Sequence, residues 1–264
     1  MLADAKVGKT TMVLNWLDWF SNVEGFNTLM FCNEMLPKRM VRKWVSYATQ
    51  TEDDPIQSKI TKDTITQALD RASRMPGDIL FAYEPTCKAD NVFSLIRQAV
   101  RRYGVKVVCF DNLQMLVRSV EHATPEIAKY VAQFKALAME LKILIILIIQ
   151  PHRVAEGQIV AARNASGSAA IEKFVDSMVC LHRNRVAGQM KAKDFMGYIE
   201  TDETFDPAML VKVDLGRYCK GGMCTLYMDG VRSTVRDWSK EDQANPMVAN
   251  VTGLPDFSKG EIAA

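Results

Sequence analysis

Residues 3–10 read Ala-Asp-Ala-Lys-Val-Gly-Lys-Thr. This stretch follows the pattern G-x-x-x-x-G-K-[S/T] of a phosphate-binding loop, with Ala3 at the first glycine position. Gly8 lets the backbone approach a phosphate, and the helix that follows adds the positive end of its dipole. Lys9 is expected on the β- and γ-phosphates of a nucleotide, and the Thr10 hydroxyl on Mg²⁺. The alternative is a chance Gly-Lys-Thr at the start of a helix.

The predicted loop sets the expected cofactors, which are ATP or another nucleoside triphosphate together with Mg²⁺. The residues expected to hold the nucleotide are Ala3, Lys6, Gly8, Lys9, Thr10 and Thr11. A strand normally leads into such a loop, whereas only Met1 and Leu2 precede Ala3. We therefore expect the strand before the loop to be missing.

The chain has 264 residues, 48% of them hydrophobic and 24% charged, a composition that suits one large soluble domain or a domain with a tail. The net charge of +2 argues neither for nor against a nucleic-acid partner. Six cysteines without a C-x-x-C spacing indicate thiols in a reducing cytosol, the alternative being a Cys219–Cys224 pair across a hairpin. No signal peptide is visible, and the apolar run Ile143–Ile149 is too short to span a bilayer. We expect a cytoplasmic protein without a membrane partner.

Short apolar runs alternate with amphipathic segments along most of the chain, which predicts an α/β fold with a mostly parallel sheet flanked by helices. The predicted strands are residues 29–32, 78–83, 105–110, 142–149 and 177–181. The predicted helices are residues 10–20, 36–49, 65–72 (capped by Thr64), 89–103 (stopped by Gly104), 125–141 and 169–174. Residues 210–215 and 223–228 predict a C-terminal antiparallel hairpin around Gly221-Gly222. Residues 1–238 are expected to form the core, and residues 239–264 a disordered tail.

Polar residues close three of the predicted strands, and in parallel sheets ligands bind beyond the carboxyl ends of the strands. Asp111 is expected to hold Mg²⁺ or its water ligands, or else to cap a loop. Glu34 is expected to orient or deprotonate the attacking water, or else to be a solvated side chain. Gln150 is expected to sense the γ-phosphate, the alternative being an ordinary polar strand end.

Several segments resemble, in order, the motifs of the hexameric replicative helicases with a RecA-type core, a family that includes DnaB, the phage primase-helicases and Twinkle. They are Asn33-Glu34-Met35, Phe110-Asp111-Asn112-Leu113-Gln114, Gln150-Pro151-His152-Arg153, Gly167-Ser168-Ala169-Ala170-Ile171-Glu172, and Asp176 with the strand to Arg183-Asn184. The resemblance covers about residues 2–238, and alanine at the first glycine position also occurs in the DnaB branch. It implies a RecA-like P-loop NTPase core.

The resemblance also implies roles for individual residues. Glu34 would be the catalytic base, Asp111 the carboxylate of the metal shell, and Gln150 the sensor. Arg217 falls where the family has an arginine finger that reaches the γ-phosphate of the neighbouring subunit, the alternative being a solvated hairpin arginine. The family usually has a lysine two residues before that arginine, whereas this chain has Leu215. Lys212 and Lys220 are the candidate substitutes.

DNA contacts are expected from a loop over residues 153–168, the alternative being an ordinary surface loop. The predicted DNA-binding residues are Arg153, Arg163, Asn164 and Lys173. Residues 118–125 are a candidate second loop, and the polar insert at residues 186–208 has no predicted function.

The predicted function is an ATP-driven helicase core that translocates on single-stranded DNA as a ring, hexameric in the family, in a bacterial or phage replisome. A primase or other replisome proteins are the possible further partners. One alternative is a RecA-like recombination or repair ATPase that forms filaments, and another is a truncated module that binds without hydrolysis. Because no ring-forming domain or linker helix is recognised, we expect the isolated chain to oligomerise weakly.

Overall fold

The computed structural model describes residues 1–53, 58–117, 123–151, 159–165, 168–183, 185–186, 204–205 and 207–239. A parallel sheet with the strand order β2-β1-β3-β4 lies at its centre, and its strands are β1 (Thr28–Cys32), β2 (Ile79–Ala82), β3 (Val107–Asp111) and β4 (Leu144–Leu147). The helices are α1 (Lys9–Asn22), α2 (Pro37–Thr49), α3 (Lys62–Arg74), α4 (Ala89–Tyr103), α5 (Ala123–Leu141) and α6 (Ser168–Phe174), with 3₁₀ turns at Leu113–Leu116 and Ala162–Asn164. Among the described residues, every helix is too short or too polar to cross a membrane.

Helices cover both faces of the parallel sheet, so its central strands are buried along their whole length. Because successive side chains of a strand point to opposite faces, Phe31 belongs to the core under α4 and α5, and Met30 to the core under α1 and α2. Phe110 joins Phe31 to Phe134 of α5, with ring centroids 5.6 and 5.7 Å apart. The sequence predicted this layered α/β arrangement, and the structure confirms it.

The C-terminal part forms an antiparallel sheet with the strand order β10-β9-β8-β5, where the sequence predicted a two-stranded hairpin. Its strands are β5 (Ser177–His182), β8 (Ala208–Gly216), β9 (Gly222–Asp229) and β10 (Thr234–Asp237), while β6 (Arg185–Val186) pairs with β7 (Thr204–Phe205). The extra strands appear because β8 pairs with β9 along one edge and with β5 along the other, and because β10 folds back onto β9. All six cysteines are free, including Cys219 and Cys224.

The first residues of the chain connect the two sheets. The Leu2 N–H donates to the Val179 carbonyl at 2.8 Å, and the Leu181 N–H donates to the Leu2 carbonyl at 2.9 Å. On the other side the Ile149 N–H donates to the Met1 carbonyl at 2.9 Å. Residues 1–3 therefore take the place of a strand between β4 and β5, with Leu2 bridged to both sides in parallel.

An apolar cavity of about 610 Å³ adjoins Met1 between the same two strands, and Trp16, Phe20 and Phe134 are among its lining residues.

The ends of α3 and α4 test two sequence expectations. The residue that caps α3 is Thr61, whose hydroxyl accepts from the Thr64 N–H at 3.4 Å, while the Thr64 hydroxyl accepts from the Thr61 N–H at 2.8 Å. The prediction that Thr64 caps this helix was wrong, because Thr64 is the reciprocal partner in a capping box. Gly104 ends α4 in the left-handed conformation (φ 63°), as predicted.

A buried carboxylate ties the first three helices together. Asp18 of α1 is 2% exposed and accepts hydrogen bonds from Trp44 Nε1 of α2 at 2.9 Å and from Arg71 Nη2 of α3 at 2.6 Å. The Arg71 guanidinium also lies over the rings of Trp44 and Tyr47, 5.9 and 5.4 Å from their centroids. Removing Asp18 would leave a partly buried cation and a buried N–H without their acceptor.

We expect Asp18→Ala to lower the free energy of unfolding by about 2–3 kcal/mol, because it leaves both donors without an acceptor. Denaturant unfolding measures this change. Asp70→Ala is the matched control: it breaks the exposed pair of Asp70 with Arg74, which should cost less than about 1 kcal/mol. Equal effects of the two substitutions would contradict a structural role for the buried cluster.

Candidate active site

The predicted phosphate-binding loop adopts a tight turn between Ala3 and the start of α1. Lys6 (φ 61°) and Gly8 (φ 113°) have left-handed backbone conformations, and Gly8 is the N-cap of α1. Ala3 is buried and is not among the residues with positive φ, which explains why a side chain is accepted at the first glycine position. The turn thus presents backbone N–H groups at the positive end of a 14-residue helix, an arrangement suited to a phosphate.

The phosphate-binding loop packs against the antiparallel sheet. Ala3, Val7 and Met12 share one apolar cluster with residues of that sheet, which are Leu181, Met209, Val211 and Met228. Gly8 approaches Met228 so closely that a Cβ atom on it would lie 2.3 Å from the Met228 sulfur. The sequence showed no sign of this role for Met209 and Met228, because the contact joins the two ends of the core.

Two polar residues reinforce this contact. Asn15 of α1 holds β10, since its Nδ2 donates to the Ser233 carbonyl at 2.9 Å and its Oδ1 accepts from the Val235 N–H at 2.8 Å. Arg183 is buried under the loop, with its Nη1 3.5 Å from the Val7 carbonyl and 3.4 Å from the Met228 sulfur.

The Lys9 ammonium lies inside the curve of the loop. Lys9 is 7% exposed, and its Nζ donates to the Ala3 carbonyl at 3.1 Å and to the Asp4 carbonyl at 2.7 Å. Burial lowers the pKa of Lys9, and the nearby carboxylates of Asp111 and Glu34 oppose that shift. The Lys9 ammonium therefore lies near the Asp111 carboxylate at the end of β3 and the Glu34 carboxylate just after β1. From this position it can move to an incoming anion.

Asp111 meets the start of α1 at the end of β3. Its Oδ2 accepts a 2.6 Å hydrogen bond from the Thr10 hydroxyl. Burial raises the pKa of Asp111 to about 6, and the Glu34 carboxylate adds to the shift, whereas the Thr10 hydrogen bond and the Lys9 charge oppose it. The second carboxylate oxygen, Oδ1, is buried without a hydrogen-bond partner among the described residues.

A hydroxyl and a carboxylate with a free buried oxygen are donors that fit Mg²⁺, which prefers oxygen ligands. The part of the chain that the structure describes holds no cluster of three or more His, Cys, Asp or Glu side chains suited to a metal.

Glu34 lies at the same edge, just beyond the end of β1. Its side chain is exposed, and its Oε2 accepts a 2.7 Å hydrogen bond from Asn112 Nδ2. Asn112 is 4% exposed. The sequence named Asn112 only as part of a motif, and its contact with Glu34 depends on the pairing of β1 with β3.

Gln150 follows β4, and the structure brings its backbone to the turn after Asp111. The Gln150 carbonyl accepts from Gln114 Nε2 at 3.0 Å, and Gln150 itself is half-buried. Lys9, Thr10, Asp111 and Glu34 thus form one cluster, with Gln150 at the neighbouring strand end.

The Arg217 side chain contacts α6 instead of this cluster. Its guanidinium donates to the carbonyls of Val175 at 2.9 Å and Glu172 at 3.3 Å, and also to that of Lys173. It therefore holds the C-terminal end of α6, and among the described residues it makes no hydrogen bond to its own phosphate-binding loop. Of the two candidate lysines, Lys212 pairs with Asp214, and Lys220 is exposed beyond β8. The neighbouring Tyr218 is 88% exposed.

The predicted DNA-binding residues are only partly within the described structure. Arg163 is exposed, and the Asn164 Oδ1 accepts from the Ala161 N–H at 2.8 Å, which closes a local turn. The Lys173 ammonium lies 5.8 Å from the centroid of the Phe174 ring. Arg153 lies outside the described residues, as do Asn184, residues 118–122, most of the 186–208 insert and residues 240–264 of the tail.

Mg²⁺ binding should depend on pH through Asp111. The carboxyl must lose its proton to bind the cation, and its pKa is raised to about 6. We therefore expect the affinity for Mg²⁺ in the presence of ADP to fall about tenfold between pH 7 and pH 5. Calorimetric titration measures this. Asp111→Asn should bind weakly at both pH values and lose this pH-dependent component; an unchanged pH dependence in Asp111→Asn would contradict the assignment.

Gly8 should resist substitution mainly because of its left-handed conformation (φ 113°), since the Met228 sulfur that a Cβ would meet belongs to the flexible end of a side chain. We expect Gly8→Ala to weaken nucleotide binding at least about tenfold, the effect of losing about 1.4 kcal/mol. Fluorescence titration with a labelled nucleotide measures it. Gly104→Ala is the control, since Gly104 has φ 63° but open space around it. It should lower stability by about 1 kcal/mol without changing nucleotide affinity. Equal nucleotide affinity in both variants would refute the role of Gly8 in the phosphate-binding loop.

Comparison with known proteins gives the family of the chain. Residues 1–217 match the family described as DnaB-like helicase C terminal domain. Replicative DNA helicase DnaB of Leifsonia xyli subsp. xyli (strain CTCB07) is 24% identical over 187 residues, which are 67% of this chain and 40% of that protein. The chain thus spans well under half the length of this curated relative.

Solved structures agree on the fold. One of them, an ATPase domain, has a TM-score of 0.73 at 18% identity, over 90% of this chain and 83% of that one. A DnaB-like replicative helicase, solved in a study of its interactions with primase, has a TM-score of 0.70 at 17% identity, over 90% and 56%. The KaiC-like protein PH0186 from Pyrococcus horikoshii OT3 has a TM-score of 0.56 at 11% identity, over 90% and 87%. These likenesses confirm the predicted RecA-like fold, and the match over residues 1–217 shows that the chain belongs to the DnaB-like helicase C-terminal domain family.

Proposed function

We propose that the chain is the ATP-hydrolysing core of a replicative DNA helicase that translocates on single-stranded DNA as a ring. The observation that carries the proposal is the contact of Thr10 with Asp111 at 2.6 Å. It joins the phosphate-binding loop to a strand-end carboxylate that keeps a free buried oxygen. Membership of the DnaB-like family supports the same chemistry.

The residues of the loop have complementary roles in this proposal. The N–H groups around Gly8 bind phosphate oxygens, and Lys9 exchanges its two backbone carbonyls for the β- and γ-phosphates of ATP. Thr10 and Asp111 hold Mg²⁺, which supplies positive charge to the phosphates when it is bound.

Glu34 is the proposed base for the attacking water, since it is a carboxylate at the edge of the cluster with its solvent side open. Gln150, at the next strand end, is the proposed sensor that distinguishes ATP from ADP.

Arg217 is the proposed group that completes a neighbouring subunit's site. Its guanidinium is bonded to carbonyls at the end of α6, so it would have to exchange these bonds for the phosphate of another subunit's site. A guanidinium placed there would stabilise charge that develops on the transferred phosphoryl group. Hydrolysis would then require a ring, in keeping with the hexamers expected from the resemblance.

Single-stranded DNA is the proposed partner. The proposed contacts are Arg153, Arg163 and Asn164, which follow the sensor strand in the sequence, and Lys173 on α6. Lys173 lies on the helix whose C-terminal carbonyls Arg217 holds. A shift of the DNA-bound residues would therefore change the position of Arg217. A primase or another replisome protein is a further proposed partner, and the bacterial or phage-infected cytoplasm the proposed location.

ATP hydrolysis with and without single-stranded DNA tests the proposal. We expect DNA to stimulate turnover, and Lys9→Ala to lower it at least about 100-fold, as the loss of one charged phosphate contact does. Lys59→Ala is the matched control, because this exposed lysine pairs with Glu52 far from the loop, and it should leave turnover unchanged.

Three other outcomes would contradict the proposal. Turnover that survives Lys9→Ala would place hydrolysis outside this site. Nucleotide binding without turnover would favour a binding module, and filaments with strand-exchange activity would favour a recombination ATPase.

A further inference from the structure

We propose that Asn112 is a positioning residue that holds the Glu34 carboxylate in place for hydrolysis. The inference rests on the proposed function, because it assigns a partner to the base of that reaction. It concerns a residue that the reaction itself does not require as a base, a metal ligand or a phosphate contact.

The pairing of β1 with β3 brings the two side chains together. Cys32 and Asp111 are register partners in these parallel strands, so the chain leaves both strands at the same edge of the sheet. Glu34 and Asn112 follow within two residues of that pair. Their hydrogen bond, 2.7 Å from Nδ2 to Oε2, has an ionised acceptor, which makes it stronger than a bond between neutral groups.

The two partners differ in how firmly they are held. Asn112 is 4% exposed, whereas Glu34 is exposed. An exposed glutamate samples many rotamers unless a contact selects one. Within the described part of the chain, the Glu34 carboxylate accepts one hydrogen bond, which comes from Asn112. The buried Asn112 amide is therefore the more firmly held partner, and it determines the position of the Glu34 carboxylate.

A second asparagine fixes the backbone beside Glu34 from the opposite side. Asn33 Nδ2 donates to the Glu84 carbonyl at 2.9 Å, and Asn33 Oδ1 accepts from the Glu84 N–H at 3.4 Å. These bonds tie the end of β1 to the segment after β2. Asn33 thus holds the main chain, while Asn112 directs the side chain that does the chemistry.

The chemical nature of the amide matters. Aspartate at position 112 would bring a third carboxylate beside Asp111 and Glu34, and like charges at this separation repel. Serine is too short to replace an amide that spans the gap.

A double-mutant cycle over Asn112→Ala and Glu34→Gln tests the inference, with kcat for DNA-stimulated ATP hydrolysis and the Kd of a fluorescent ATP analogue as readouts. We expect Asn112→Ala to lower kcat about tenfold to 100-fold, the cost of misplacing a catalytic group by about 1 Å. The Kd should stay within about twofold, because Asn112 makes no proposed nucleotide contact. In the Glu34→Gln background, Asn112→Ala should lower kcat no further.

The inference fails if Asn112→Ala lowers kcat by the same factor in both backgrounds, since it would then act independently of Glu34. It also fails if Kd rises as much as kcat falls, because the effect would then be on nucleotide binding. Asn112→Gln keeps the donor on a longer stem and should recover part of the kcat that Asn112→Ala loses. If Asn112→Ala does not fold, Asn112→Gln and Asn112→Ser carry the same comparison, with Gln retaining more kcat than Ser.

The two proposals fail in different ways. A wild-type chain without ATP turnover at concentrations where it oligomerises overturns the proposed function, and the role of Asn112 in hydrolysis with it. An active wild type with an additive cycle overturns the role of Asn112 alone.

Discussion

Much of the molecule is organised by the hydrogen bonds that residues 1–3 make on both sides: Met1 and Ala3 bond with Ile149, and Leu2 bonds with Val179 and Leu181. Through them the short segment before the phosphate-binding loop joins the parallel sheet at Ile149 and the antiparallel sheet at Val179 and Leu181. The loop must therefore emerge between the two sheets. Ala3 and Gly8 reach the apolar cluster around Met228 for this reason, and the start of α1 faces the end of β3.

Burial gives the site its electrostatic character. Taking Lys9 and Asp111 out of water disfavours the charged form of each, which lowers one pKa and raises the other. Their mutual attraction offsets part of that cost, and the Thr10 hydroxyl contributes a hydrogen bond to Asp111. A bound phosphate would supply negative charge to the Lys9 ammonium. A bound Mg²⁺ would supply positive charge to the free carboxylate oxygen of Asp111. An exposed Glu34 at the rim is suited to meet water.

The predictions from sequence succeeded where the signal is local. The α4 bounds and its Gly104 stop follow from amphipathic spacing and from the ease with which glycine adopts a left-handed conformation. The loop and the strand-end residues Glu34 and Asp111 could be named because a parallel sheet collects such residues at one edge. Thr64 was misassigned because Thr61 three residues earlier offers the same side-chain chemistry. The C-terminal sheet was underestimated because pairing between β5 and β8 leaves no trace in either strand alone.

The sequence by itself determined the α/β class, the nucleotide loop and the residue types of the candidate site, because periodicity and short motifs are properties of neighbouring residues. Only the tertiary structure decided which side chains meet. It placed Met228 under Gly8, Asp111 on Thr10, Asn112 on Glu34 and Arg217 on the end of α6. Each of these contacts joins residues at least 42 positions apart, and strand register and helix packing, which sequence spacing does not encode, bring them together.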